Sequence, residues 1–404
     1  MFSGQRIDQL SLNDLVNDFN EQYDTSLTKQ GLQERFNDRA VCFMTSLLEE
    51  NMTHQLQGIS TDQKSVYENK FRRIRVKDST RFSLPEAFAS VYKGHGGATS
   101  SAQISIQYEY DLLSRKAIEL KLTGACRNDQ QDSKETLDSI QEGDLLIRDL
   151  AYTGKAYLKH ITKTGAYYLN RLNPTWKIYT YDDNQIDFAN LLKKIDRYEL
   201  PYMEIEAFIK IDAQKIDTRL IVSKVNQEVY EKRIRKAEKA AKSKGYQVSE
   251  EYKVKAWLNL FMTNIPKEWL TTDQIRKTYS LRWQIELVFK TWKSQAQINK
   301  IKHVRVERFQ CQLIARLIWV LIHWQTLRIT QEWIILQGCK FQCSQWKFYK
   351  TAFRLSPLLR KTLFGISPIG SWLEKILINA EKKYNTETKK GKSCTFTTIN
   401  NLLA

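Results

Sequence analysis

Long apolar runs are missing from this chain of 404 residues. None reaches the roughly 18–20 residues that a helix needs to cross a bilayer. The richest stretch, Leu313 to Trp324, is interrupted by Arg316 and His323, which predicts a buried helix instead. The first residues, MFSGQRIDQL, have no apolar core of the secretory kind, so no secretion signal is expected. Glycine and proline are scarce, at 15 and 6 residues. With 42% hydrophobic residues, that composition excludes a disordered or fibrous chain. Five histidines are too few for a histidine-rich zinc site. The six cysteines are scattered, as expected of reduced thiols in a cytoplasm. Cys339 and Cys343 form C-x3-C, but no second pair follows to complete a zinc site. No Ser/His/Asp or Cys/His set suggests a protein nucleophile.

Positive charge is in excess. The formal net charge is +18, a balance that attracts polyanions. No amphipathic anchor supports a membrane surface as that polyanion, which leaves nucleic acid.

The chain length allows two to four domains. Residues 1–68 read as helical. One helix follows Ser11 as N-cap and buries Leu10, Leu12, Leu15, Val16 and Phe19. A second starts near Thr28 and buries Leu32 and Phe36. A third starts near Asp38 and buries Val41, Met44, Leu47 and Leu48. Three short helices fit a helix-turn-helix module that contacts DNA; a small helical cap with a solvated face is the alternative. From 69 to 170 the pattern becomes strand-like. Residues 73–78, 103–110, 116–122, 144–150 and 165–170 are strand candidates, with helices over about 127–140 and from Gly154 to Thr162. The fold class is therefore α/β, a mixed sheet flanked by helices. Residues 171–262 read as a β-rich insertion, with strands at 177–183, 203–211, 217–225 and 255–263 and one charged helix from Gln227 to Ser243. A helical segment, 263–300, is followed by a helical C-terminal region, 301–404, ending in the polar tail EKKYNTETKKGKS.

The segment Tyr279 to Lys293 carries most of the functional information. On one helix with Tyr279 at zero, Arg282, Glu286, Lys290 and Lys293 fall at about 300°, 340°, 20° and 320°. Leu281, Ile285, Val288, Phe289 and Trp292 cluster on another, apolar face. By spacing alone the polar stripe is an i,i+4 salt-bridge ladder around Glu286. The alternative is a metal-ligating carboxylate flanked by cations that clamp a phosphate backbone.

The spacing Y-x2-R-x3-E-x6-K, at Tyr279, Arg282, Glu286 and Lys293, resembles the signature of the insertion-sequence-four family of DDE transposases. Lys77-Asp78-Ser79-Thr80-Arg81-Phe82-Ser83-Leu84-Pro85 resembles that family's first-aspartate motif. Gly94-His95-Gly96-Gly97, then Tyr110 to Ser114, resembles the stretch that follows it. Arg148-Asp149-Leu150-Ala151-Tyr152 resembles the second-aspartate motif, with Ala151 where many relatives have glycine. Met262 to Pro266 fits the approach to the signature helix.

The resemblance implies an RNase H-like core interrupted by the β-rich insertion. It implies a catalytic triad of Asp78, Asp149 and Glu286 that holds two Mg²⁺ ions, with Mn²⁺ as a substitute. Hard cations of this kind prefer oxygen ligands. Asp144 and Asp111 are competing carboxylates, read here as turn or cap residues. Tyr279, Arg282, Lys290 and Lys293 are the implied DNA-binding residues. Trp176 and Trp257 are aromatics that either stack on a displaced base or pack in a core. The implied activity is Mg²⁺-dependent cleavage and strand transfer at terminal inverted repeats, by a homodimer in a synaptic complex with target DNA. The implied location is the bacterial cytoplasm, at the nucleoid. An RNase H-like endonuclease, or an inactive or domesticated sequence-specific DNA-binding protein, are the alternatives.

Overall fold

The computed structural model describes residues 11–57, 70–97, 100–114, 116–212, 214–338 and 343–384. Leu10, Cys339, Cys394 and the tail beyond Tyr384 lie outside these residues.

Three helices come first: α1 (Leu12–Tyr23), α2 (Lys29–Arg35) and α3 (Asp38–Gln57). Ser11 and Asp14 form a reciprocal capping box at α1, and the Thr28 hydroxyl caps α2 by accepting from the Gly31 amide. Leu12, Val16 and Leu48 are buried as expected. Phe19 and Leu47 are exposed instead, at 41% and 43%. Phe19 rests on the Tyr23 ring of its own helix, with centroids 4.7 Å apart.

The elements that follow are β1 (Arg73–Ser83), β2 (Gln103–Asp111), β3 (Ala117–Gly124), α4 (Asp129–Glu135), β4 (Asp144–Arg148), α5 (Lys155–Thr164), β5 (Tyr167–Arg171), β6 (Ile178–Tyr179), α6 (Phe188–Arg197), β7 (Met203–Ile211), β8 (Gln214–Lys224), α7 (Gln227–Ser243), α8 (Glu250–Ala256), β9 (Leu258–Thr263), α9 (Thr272–Ser280), α10 (Trp283–Ser294), α11 (Val306–Leu336), α12 (Gln345–Arg354), α13 (Ser356–Leu363) and α14 (Ile369–Lys383).

All strands join one nine-stranded sheet, in the order β3-β2-β1-β4-β5-β9-β8-β7-β6. The β1–β4 and β4–β5 pairs are parallel, and the other pairs are antiparallel. The mixed α/β fold expected from the sequence is present, consistent with the RNase H-like transposase fold. The strands of the insertion extend the same sheet rather than forming a separate β unit, and the insertion also contains α6, α7 and α8. The expected strand over 177–183 shrinks to Ile178–Tyr179, because the chain turns back at once through the Thr180–Asn184 hydrogen bond. The expected strand over 255–263 is the end of α8 followed by β9.

Two apolar layers sandwich the sheet. One face, with Ile74, Val76, Leu145 and Ile147, packs against α10, α11, α12 and α14. The other, with Leu146, Tyr168, Leu220 and Met262, packs under α5 and α6. The alternation Leu145-Leu146-Ile147 between layers is the period-two geometry of a strand buried on both sides. Helix α11 supplies the predicted buried run: Leu317, Trp319, Leu321 and His323 are all at 0% exposure. Arg316 is buried there by donating to the carbonyls of Gln297 and Lys300. Helix α14 continues into the segment expected to be polar tail, and Tyr384 at its end is buried against Phe348.

Candidate active site

Strand pairing sets the first two carboxylates side by side. In the parallel β1–β4 ladder, Lys77 faces Arg148, so Asp78 and Asp149 are the next residues along each strand. Asp78 does not end its strand, as the sequence suggested. β1 runs on to Ser83 because it keeps an antiparallel partner in β2. What ends at Asp78 is the parallel pairing with β4. Beyond it, the β4 chain leaves the sheet in a 3₁₀ turn, Leu150–Tyr152, and Asp149 caps that turn by accepting from the Leu150 amide at 2.8 Å. Asp78 Oδ1 likewise accepts from the Ser79 amide at 2.8 Å. Each aspartate thus has one oxygen fixed by its own backbone.

The third carboxylate comes from α10, which packs on β1 and β2 through Ile285, Val288, Phe289 and Trp292. Trp292 meets the Tyr108 ring at a centroid distance of 4.8 Å, edge to face. Glu286 sits beside that buried stripe, half-exposed. The segment is not one continuous helix. α9 ends at Ser280 and α10 starts at Trp283. Across the junction the hydrogen bonds tighten to i→i−3, from Leu281 to Thr278 and from Arg282 to Tyr279. This 3₁₀ step leaves helical dihedrals at Leu281 and Arg282. The polar stripe from Tyr279 to Lys293 therefore survives the break.

Arg282 joins the parts. Its Nη1 lies 3.3 Å from Asp78 Oδ2, and its Nη2 donates to Glu286 Oε1. Burial pushes the Asp78 carboxyl up to about 6, and the charges of Asp149 and Glu286 add to that, while Arg282 opposes it. Burial also works against the charge on Arg282, but Glu286, Tyr279 and Asp149 outweigh it and raise its pKa. Tyr279 packs on Phe261, with ring centroids 4.9 Å apart, and is pushed up to about 12 by burial and then by Asp149. The three carboxylates, Arg282 and Tyr279 are one electrostatic unit. Among the described residues, no three Asp, Glu, His or Cys side chains are drawn together tightly enough to hold a metal ion. An all-oxygen set of three carboxylates nonetheless has the chemistry that Mg²⁺ takes, and a guanidinium now bridges two of them.

A cavity of about 630 Å³ opens beside this unit, lined by Asp78, Ser79, Glu286, Phe289, Lys290, Lys293 and Ser294. Lys290 is exposed. Lys293 is half-buried, donates to the Arg81 carbonyl at 3.2 Å, and has its pKa lowered by that burial.

The competing carboxylates are structural. Asp144 is buried in ion pairs with Arg73 and Arg75, and Asp111 organises a turn by accepting from the amides of Ile74, Leu113 and Ser114. Trp257 stacks on Tyr230 at 4.0 Å and 9°, and Trp176 packs against the second apolar layer, so both serve as packing residues here.

Sequence reading missed a buried charge network on the sheet face opposite α10. Glu109 takes both Arg75 (2.9 and 3.0 Å) and Arg148 (3.1 Å), and Lys77 pairs with Asp132 at 2.5 Å. Lys77 and Arg148 directly precede Asp78 and Asp149. The charged–apolar alternation of β1 marks a strand with one polar face, and β2 offers Glu109 opposite Lys77 on it.

A family model for the transposase DDE domain matches residues 69–322. The chain is 33% identical over 358 residues to the transposase for insertion sequence element IS231E of Bacillus thuringiensis subsp. finitimus, covering 85% of this chain and 74% of that protein. It is 33% identical to the IS231F transposase of B. thuringiensis subsp. israelensis, covering 80% and 70%. It is 29% identical to the IS1151 transposase of Clostridium perfringens, covering 96% and 85%. The chain belongs to the DDE transposase family, in its insertion-sequence-four-like branch.

Proposed function

We propose that this chain binds the terminal inverted repeats of its own insertion sequence, cuts DNA there in a Mg²⁺-dependent reaction, and joins the freed ends to a target. Asp78, Asp149 and Glu286 are the proposed triad. The observation that carries the reading is geometric: strand register sets Asp78 beside Asp149, and Arg282, 204 residues along the chain from Asp78, bridges Asp78 to Glu286.

Each aspartate keeps one oxygen bound to a backbone amide, and the second oxygen of Asp78 faces Arg282, which a metal would displace. These oxygens and Glu286 would hold two Mg²⁺ ions. Bound there, the ions would supply Lewis acidity and a lowered pKa for the attacking oxygen. Lys290 and Lys293 line the cavity and would meet a phosphate backbone there, and Tyr279 and Arg282 are the further proposed DNA contacts. A homodimer bridging two DNA ends completes the proposal, with the bacterial nucleoid as its place of action.

The test mixes the purified chain with a duplex carrying the repeat that flanks its coding sequence, a target plasmid and Mg²⁺. Wild type is expected to join the duplex to the plasmid, and Asp149→Ala is expected to bind the repeat without cutting or joining. Repeat-specific binding without cutting by wild type, in Mg²⁺ or Mn²⁺, would favour a non-catalytic DNA-binding protein.

A further inference from the structure

The topology of the sheet places a second cationic surface on the same edge as the candidate active site. β4 and β5 are parallel, and their C-terminal ends, at Asp149 and Arg171, share that edge. β9 is antiparallel to β5, and β8 to β9, so β9 begins and β8 ends there as well. Helix α7 springs from β8 at this edge. Three strand spacings of about 4.8 Å, roughly 14 Å in all, separate β8 from β4 laterally, and β8 runs past the level of Asp149 before α7 begins. Arg233 anchors it, donating to the carbonyls of Ala256 and Leu258 and to the Asn259 side chain.

The faces of α7 are sharply divided. Tyr230, Arg233, Ile234, Ala237 and Ala241 are its covered positions. At 100° per residue, Lys232, Arg235, Lys236, Lys239 and Lys242 fall within a stripe about 120° wide on the opposite side. All five are exposed, and none forms an ion pair among the described residues. Glu228 lies in the first turn, and Glu231 and Glu238 lie on the flank of the stripe. From Lys232 to Lys242 the helix rises about 15 Å, the rise of about four base pairs at roughly 3.4 Å each.

Arg171 connects this stripe to the active site. It is exposed, at the end of β5. Its charge acts on Tyr279 on one side, opposing the upward push of burial and Asp149. On the other side it adds to burial in lowering Arg233. Arg171 thus lies between Tyr279 and Arg233, and Arg233 borders the exposed stripe at Lys236, three residues along α7.

We infer that Arg171 and the outer face of α7 (Lys232, Arg235, Lys236, Lys239 and Lys242) form a phosphate rail for the transposon-end duplex whose scissile phosphate occupies the catalytic cleft. The inference rests on the function proposed above and adds a partner surface to it. Occupancy by the end duplex follows from continuity, since one duplex leaving the cleft along this sheet edge meets Arg171 first and α7 next. Contacts of this kind carry affinity and salt dependence but little base specificity.

The test measures binding of the full chain, without divalent ions, to a fluorescent duplex carrying the terminal repeat and to a scrambled duplex, across a salt series. Each lost phosphate contact reduces the slope of log K against log salt by about 0.9. The combined K232Q/R235Q/K236Q/K239Q variant is expected to lose about 3 to 4 units of slope with an unchanged melting temperature. Arg171→Gln is expected to lose about 1. Wild-type slopes in both variants would overturn the rail and leave the proposed function standing. Variants that keep end binding but lose joining to a target duplex would reassign the surface to target DNA and overturn the assignment to the end. A wild type that binds repeat and scrambled duplexes alike would overturn the end-recognition reading itself.

Discussion

The Arg282 guanidinium spans Asp78 on β1 and Glu286 on α10, 3.3 Å from the Asp78 carboxylate. It closes the sheet onto the helix and offsets part of the charge of two carboxylates that the proposal assigns to metal. In the metal-free chain Arg282 acts as the counter-ion. Arg282→Gln is expected to bind Mn²⁺ several-fold more tightly than wild type in the absence of DNA, measured by calorimetric titration. The same variant is expected to bind the terminal repeat more weakly. Unchanged or weaker Mn²⁺ binding would mean that the guanidinium does not compete for the carboxylates.

Asp78 carries a stability penalty that its chemistry imposes. Burial first, then Asp149 and Glu286, raise its carboxyl to about 6 from an ordinary value of 3.8. The folded chain therefore holds a proton that the unfolded chain releases between those values. Its contribution to stability is present below pH 3.8 and is lost as pH rises through 6, a change of roughly 2–3 kcal/mol. Asp78→Asn keeps an oxygen for the Ser79 amide and removes the charge. In EDTA at pH 7.5 it is expected to melt higher than wild type, with the difference shrinking toward pH 4. A lower melting temperature at pH 7.5 would contradict this.

The network around Glu109 answers to a different rule. Glu109 is fully buried between Arg75 and Arg148. Burial alone would raise its pKa, but Arg75, Arg148 and Lys77 overcome that and hold it well below the ordinary carboxylate range. Removing Glu109 takes from buried Arg148 its carboxylate partner and leaves Arg75 with Asp144 alone. Glu109→Gln is expected to cost about 3–5 kcal/mol in denaturant unfolding. Replacing Glu109 and Arg75 together by apolar residues of similar volume is expected to cost less. A small effect of the single variant would mean that the network is solvated.

The sequence was most legible where local pattern and chemistry agree. The Ser11 and Thr28 caps, β7 and α7 lie where composition and periodicity put them. The family resemblance named the candidate triad, and the register then sets Asp78 beside Asp149 while Arg282 links Asp78 to Glu286. What tertiary pairing decides was not. β1 continues past Asp78 because β2 gives its backbone a partner. The break at Leu281 follows from i→i−3 bonds that no propensity marks. Lys77 and Arg148 look solvated until Asp132 and Glu109 are seen beneath them. The insertion joins the main sheet through the β5–β9 and β8–β9 pairs, contacts between segments up to about a hundred residues apart.

The most direct measurement is Mg²⁺-dependent cleavage of a DNA fragment bearing the terminal repeat, wild type against Glu286→Ala, with repeat binding measured in parallel. The account expects wild type to cut at the repeat boundary, and Glu286→Ala to bind the repeat while cutting at least a thousandfold more slowly, an order-of-magnitude expectation for loss of a metal-holding carboxylate. Equal cutting by the two proteins would contradict the placement of Glu286 at the centre of the chemistry.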